Sequence, residues 1–353
     1  MNRRDFLRVG VALAGAGRLL AQDPKDDPKD GWRTFEVTTR VEVRQPSGTT
    51  RVWVPAALGV NTPYQRTLAN TFQCDGGTAQ MVESSADGLA IVSAEFPAGV
   101  KPVLTVTSRV MTRDAHGGGP KASPEELRHF LRATRYLPTD GIVKETAAAI
   151  TEGAATDTDK ARAIYQWIVE NTHRDPKTRG CGLGDIRFLL ESRDLGGKCA
   201  DLNALFVGLA RAAGVPARDV YGIRTAKSQL GYQSLGASSA IVTKAQHCRA
   251  EVYLGEQGWT PVDPADVRKV MLEEPPGARG LDDEIVRQAR ARLFGSWEMN
   301  WMAYNFAHDV ALPGSSGKAV PFLMYPQAET AEGRVDSLDA DAFYYEITSR
   351  LLE

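Results

Sequence analysis

Hydrophobic and polar positions along this chain fall into two regimes. From Trp32 the period is two. Phe35, Val37, Thr39, Val41 and Val43 alternate with polar residues, Gln45-Pro46-Ser47-Gly48 turns the chain, and Arg51-Val52-Trp53-Val54 resumes. Apolar runs at 89–92 and 103–107 predict further strands. Residues 32–115 therefore read as an all-β, sandwich-like module with no evident chemistry. Cys74 falls in a turn-rich part of it and reads as structural or incidental.

After the linker His116-Gly117-Gly118-Gly119-Pro120 the period becomes helical. Ser123-Pro124-Glu125-Glu126 combines a cap, a proline at the first helical position and a capping-box glutamate, and predicts a helix running into Leu131. Further helices are predicted over 142–150, over 159–170 with Thr158 as cap, and over 186–191. The strongest helical pattern is Leu202, Leu205, Phe206, Leu209 and Ala213, which ends at Gly214-Val215-Pro216. Strands follow at 219–223, 247–254 and 259–264, with a Gly/Ser-rich loop at 228–239. The tail, 276–353, holds a helix near 282–293, an aromatic-rich stretch from Trp297 to Tyr325, and a strand at 343–348. It is expected to pack on a core formed by 124–275. The fold class is α+β.

Composition narrows the function. Over 353 residues the net charge is −2, which gives no reason to expect nucleic acid as a partner. Four cysteines do not make a disulfide scaffold, and no Cys-x-x-Cys pair or zinc-finger spacing is present, so neither metal nor cofactor is expected. Asn2-Arg3-Arg4-Asp5-Phe6-Leu7-Arg8, followed by an apolar run to Leu20, resembles a twin-arginine export signal over residues 1–21. The run is too short to span a bilayer. Residues 22–31 are a polar linker. This reading implies a periplasmic or secreted protein in an oxidising compartment, with no stable membrane span once the signal is removed.

One stretch carries candidate chemistry. Gly196-Gly197-Lys198-Cys199 places a cysteine at a helix start, where unpaired amides and the helix dipole favour the thiolate. A nucleophilic cysteine needs an imidazole and a group to orient it. His247 opens a strand whose hairpin partner carries Asp263. If the turn were Gly255–Gly258 alone, Ala250 would face Asp263 and His247 would point to the opposite face of the sheet. A turn longer by one residue sets Arg249 opposite Asp263 and makes His247 its same-face diagonal neighbour. The catalytic reading thus predicts a five-residue loop or a bulge, with Arg249 beside Asp263 as competitor or co-anchor. Cys181, between two glycines, is a second thiol that could pair with Cys248 and leave Cys199 free. His116, His129, His173 and His308 have no comparable setting.

Residues 196–206, the segment Arg211-Ala212-Ala213-Gly214-Val215-Pro216 and the two hairpin strands together resemble the motifs of bacterial transglutaminase-like proteins, in the same order, over about 125–270. The resemblance implies a papain-like core with Cys199 as nucleophile, His247 as base and Asp263 as its anchor. It also implies an acyl-transfer enzyme acting on amide bonds of a peptide or protein substrate, cell-wall peptide included. Hydrolysis and transamidation are both open. The alternative is an inactive relative that serves as a binding or scaffolding module of the cell envelope. Cys248 and Arg249 depart from the family pattern, in which an aromatic residue often stands two positions after the histidine.

Overall fold

The computed structural model describes residues 8–10 and 31–352. The rest of the export-signal segment and linker lies outside the described residues. Residues Arg8–Gly10 (β1) add an edge strand to β5 (Thr78–Ser84).

The period-two region forms a sandwich of two antiparallel sheets. Its strands are β2 (Arg33–Val43), β3 (Thr50–Pro55), β4 (Gln65–Asp75), β5, β6 (Leu89–Phe96) and β7 (Val103–Thr112). The tail completes both sheets. Its strand β14 (Gln327–Thr330) lies beside β3 and is extended by β15 (Gly333–Val335), while β16 (Phe343–Leu352) pairs along the whole of β2. One half of β2, Val41 and Val43, packs against Val52, Val54, Val92 and Phe96 across the sandwich. The other half, Phe35 and Val37, packs into the cluster that contains Cys199. The β-module therefore forms one wall around the cysteine. Strands β4 and β5 escaped the sequence pattern because β4 alternates polar with partly buried residues rather than apolar with polar. Cys74 lies on β4 and not in a turn.

The second unit is built around one helix. Helices α1 (Pro124–His129), α2 (Gly141–Ile150), α3 (Asp157–Asn171) and α4 (Ile186–Ser192), with the short parallel strands β8 (His173–Arg174) and β9 (Gly196–Gly197), precede α5 (Cys199–Ala212). Twelve of the fourteen α5 residues are buried, so it is a central helix and not an amphipathic surface one. It packs on a sheet ordered β12 (Trp259–Val262), β11 (Gln246–Tyr253), β10 (Ala217–Arg224) and β13 (Trp301–Asn305). The α3 cap is Thr156, not Thr158: Thr156 Oγ1 accepts from the Asp159 amide at 3.1 Å and Asp159 Oδ2 accepts from the Thr156 amide at 3.1 Å. Helix α6 (Pro264–Glu273) was not anticipated, although Asp263 as cap and Pro264 at the first position announce it. Helix α7 (Glu284–Arg292) matches the predicted tail helix.

The tail does more than pack on the core. Strand β13 extends the core sheet, and β14 and β16 extend the module's sheets. Exposed hydrophobic strand edges are costly to leave open, and a single segment closing three of them binds the two units together.

Candidate active site

Cys199 is held by a knot of backbone donors around Asp201. Asp201 Oδ2 accepts from the Lys198 amide, and Oδ1 from the Leu183 and Gly184 amides, each at 3.0 Å. The Ala200 amide donates to the Cys181 carbonyl at 2.9 Å. The 180–184 loop and the cysteine turn are thus one unit. Gly182 has φ +96°, and a Cβ there would lie 1.8 Å from Asp201 Oδ2, so only glycine fits. The knot places Cys181 beside Cys199. The Cys199 amide, first in the helix, has no acceptor among the described residues and is free to bind an anion.

The β11–β12 hairpin has the longer register. Tyr253 faces Trp259 and Ala250 faces Val262, so the next pair along the ladder is Arg249 with Asp263. The loop is the five residues 254–258, tightened by a single 3₁₀ turn and closed by the Leu254 amide on the Gly258 carbonyl. His247 then reaches Asp263 diagonally, with Nε2 2.8 Å from Oδ2. Its Nδ1 is the ring nitrogen left free for Cys199, which opens on the same cleft. All three groups are nearly sequestered, at 4%, 4% and 0% exposure for Cys199, His247 and Asp263.

A wider network fixes this triplet. Asp263 Oδ1 accepts from Asn203 Nδ2 at 3.1 Å and from the Asp266 amide at 3.0 Å, so the group that faces His247 also caps α6. Asn203, one turn along α5 from Cys199, also donates to the Cys248 carbonyl at 2.9 Å. Asp266 Oδ1 stands 3.4 Å from His247 Nε2, and Arg224 donates to Asp266 Oδ1 and Oδ2 at 2.6 and 2.9 Å. Arg249 stands beside Asp263 as expected, as an ion-pair partner with Nε 3.8 Å from Oδ2, while its guanidinium lies over the Trp301 and Trp297 rings and donates to the Glu298 carbonyl. Trp301 Nε1 donates to the His247 carbonyl at 2.9 Å. Gly222 makes room for that ring: a Cβ there would meet Trp301 at 2.3 Å. Asn203, Asp266, Arg224 and Trp301 were missed in the sequence. Only Asp266 had a local signal, as the third residue of a capped helix.

The charges favour an ion pair. Cys199 lies well below the ordinary thiol value, chiefly because the polar Cys181 and Cys248 thiols favour the thiolate, with a further contribution from His247 outweighing the cost of burial. Burial pulls His247 down, but Asp266 and Asp263 more than offset it and raise it above the ordinary imidazole value. Asp266 falls well below the carboxylate range despite burial, because Arg224 and His247 face it. Asp263 is raised by burial and by Asp266, yet with three donors on it the group is a carboxylate at neutral pH. Burial brings Arg249 down to about 10, still charged at neutral pH. Cys199, Asp263 and Asp266 as anions balance His247, Arg224 and Arg249 as cations. Such neutrality is what a buried network requires.

The proposed Cys181–Cys248 bridge is absent. All four cysteines are free, the Cys181 thiol donates to the Gln246 carbonyl at 3.4 Å, and Cys181 and Cys248 both bear on the Cys199 thiol. Ligand atoms of His247, Asp263 and Asp266 lie within 4.8 Å of one another, a spacing a metal could use. Arg224 already supplies the positive charge there. A cleft of about 320 Å³ opens on Cys199 and His247. The other histidines sit elsewhere: His129 on Asp87 at 2.7 Å, His308 near Asp219 at 3.2 Å, and His173 exposed near Asp194.

A cysteine at the start of a buried helix, facing a histidine–carboxylate pair on an antiparallel sheet, defines a papain-like cysteine site on an α+β core. The chain carries a transglutaminase-like superfamily domain, whose family model matches residues 144–264. That span holds Cys199, His247 and Asp263. A protein of Haemophilus influenzae, described only as uncharacterized, is 34% identical over 370 residues, covering 98% of this chain and 99% of that protein. A proposed cysteine protease from Cytophaga hutchinsonii has a similar crystal structure, with a TM-score of 0.51 and 17% identity, over 90% of this chain and 98% of that one. At that identity the likeness concerns the fold alone. Its near-complete coverage extends to the sandwich and the tail as well as the core.

Proposed function

We propose that this protein is a cysteine-dependent acyl-transfer enzyme acting on amide bonds of peptides, working after export in the periplasm or outside the cell. The observation that carries the reading is the 2.8 Å His247–Asp263 contact, made only because the hairpin loop has five residues. Cys199 is the nucleophile. Its thiolate attacks the amide carbonyl and forms a C–S bond, and the Cys199 amide, at the head of α5, binds the resulting oxyanion. The His247 imidazolium, held at Nε2 by Asp263, delivers its Nδ1 proton to the departing amine as the C–N bond breaks. The thioester is then released by water or by a second amine, from which the now neutral His247 takes a proton. Hydrolysis makes the protein a peptidase or amidase, and aminolysis makes it a transglutaminase. An exported protein meets peptides in abundant water, which favours hydrolysis.

The open cleft at Cys199 and the depressed thiol support turnover over a purely binding role. The test is alkylation of Cys199 by iodoacetamide across pH, with Cys199→Ala and the denatured protein as controls. The reading expects labelling at Cys199 to persist well below the ordinary thiol range. Labelling that follows the denatured protein's profile sinks it.

A further inference from the structure

The cleft at Cys199 is strongly asymmetric in charge. Arg174, Lys198, Lys244 and Lys269 line it, and no Asp or Glu does. Arg174 and Lys269 share a single carboxylate, Glu273. Among the described residues, Lys198 donates only to the Thr178 carbonyl, at 2.7 Å, and has no carboxylate partner. Lys244 is exposed and has no ion-pair partner among the described residues. Arg224 and His247 are balanced by Asp266 and Asp263, as above. The polar limb of the cleft therefore holds about three uncompensated positive charges next to the nucleophile.

Lys198 and Lys244 also stand at the mouth of a second limb, about 450 Å³, walled by Tyr325, Phe343, Tyr344 and Tyr345. Asp336, Asp339 and Asp341 are exposed along the segment at its outer rim, and Arg179 holds Asp336. Positive charge is thus concentrated on the thiol side and falls away outward.

We infer that the acyl donor is an acidic peptide, with a carboxylate seated between Lys198 and Lys244 beside the scissile amide and an apolar or aromatic side chain in the tyrosine-lined limb. This deepens the proposed function and rests on Cys199 being the nucleophile. The loop 225–245 that carries Lys244 is anchored to β16 by the Val242 amide on the Ile347 carbonyl and the Ser349 amide on the Ala240 carbonyl, both at 2.8 Å. The lysine is therefore presented by a built loop.

Thiol reagents of matched reactivity and opposite charge test this without a known substrate. Methanethiosulfonates bearing a sulfonate, a neutral methyl or a trimethylammonium group are reacted with the full chain, and modification at Cys199 is read by peptide mass mapping. Rates are normalised to the denatured protein. A surface potential of a few kT predicts that the anionic reagent outpaces the cationic one by ~10-fold or more at low salt. The ratio should collapse toward unity near 0.5 M salt, where the Debye length falls to about 4 Å. Lys244→Gln, at an exposed unpartnered side chain, and Lys198→Gln should each lower it several-fold. In matched peptide amides, a Glu beside the scissile bond should be preferred over Gln and both over Lys. A reactive Cys199 with no charge preference, or with one unmoved by salt and by both variants, overturns the acidic-substrate inference and leaves the enzyme reading intact. A Cys199 silent to all three reagents overturns both.

Discussion

Replacing Asp263 with Asn keeps its shape and removes its charge, and the surrounding donors dictate the outcome. Oδ1 takes two N–H donors, from Asn203 and from the Asp266 amide, whereas Oδ2 takes one, from His247. The asparagine oxygen must occupy the two-donor position. Its NH₂ then faces His247 Nε2, donor against donor. The imidazole can relieve this only by losing its Nε2 proton, which leaves a neutral ring that can accept at Nε2 and donate at Nδ1 but cannot serve as base toward Cys199. The network's charge count agrees, because losing one anion from three requires losing one cation, and His247 is the cation that titrates. A triad aspartate changed to asparagine typically lowers kcat by about 10⁴, which is about 5.4 kcal/mol at 1.36 kcal/mol per tenfold. A thiol returned to about 8.5 is only ~0.3% thiolate at pH 6, so alkylation there should fall by more than ~100-fold. The fold should survive, because asparagine caps α6 as well as aspartate does, whereas Asp263→Ala forfeits a cap worth ~1 kcal/mol. The assay is the iodoacetamide rate at Cys199 against pH, with thermal unfolding run alongside. A folded Asp263→Asn protein labelled at pH 6 within threefold of wild type would refute the donor-against-donor argument.

Activity should be bell-shaped in pH, its acid limb set by the depressed Cys199 and its alkaline limb by the raised His247; a single-limbed kcat/KM profile would contradict the ion pair. In stability, the His247 contribution is full below ~6.5 and is lost as pH rises through its raised folded value. The Asp266 contribution is present above ~3.9 and is lost as pH falls through its depressed folded value; urea unfolding across pH reads both. Cys181→Ala and Cys248→Ala should each raise the Cys199 thiol and move its labelling profile to higher pH, since both neighbours hold it down. Gly222→Ala drives a methyl to 2.2 Å from the Met302 carbonyl and 2.3 Å from the Trp301 ring, so it should cost about 1–3 kcal/mol in unfolding free energy and lower turnover through the Trp301–His247 contact.

The sequence alone determined what depends on neighbours in the chain. The alternation of β2, the Ser123 cap, the apolar face of α5 and the Gly-Gly-x-Cys turn all act within a few residues, and each was legible. The hairpin was legible in a stronger sense, because strand geometry made the site conditional on a five-residue loop, and that loop is present. Thr158 was preferred over Thr156 because two threonines two residues apart present the same local signal, and only the reciprocal bond with Asp159 separates them. Strands β4 and β5 were invisible because weakly buried strands carry no hydrophobic period. Tertiary structure decided the rest. Asp266 and Arg224 meet across 42 residues, Trp301 and His247 across 54, and Asn203 and Asp263 across 60. No local pattern marks such pairs, since each polar side chain would be ordinary on a surface and is functional here only because it is buried with one partner. The same holds for the Cys181 and Cys248 thiols, brought to Cys199 by the Asp201 knot and the β11 register, and for the tail, whose strands have sheets to join only once both units exist.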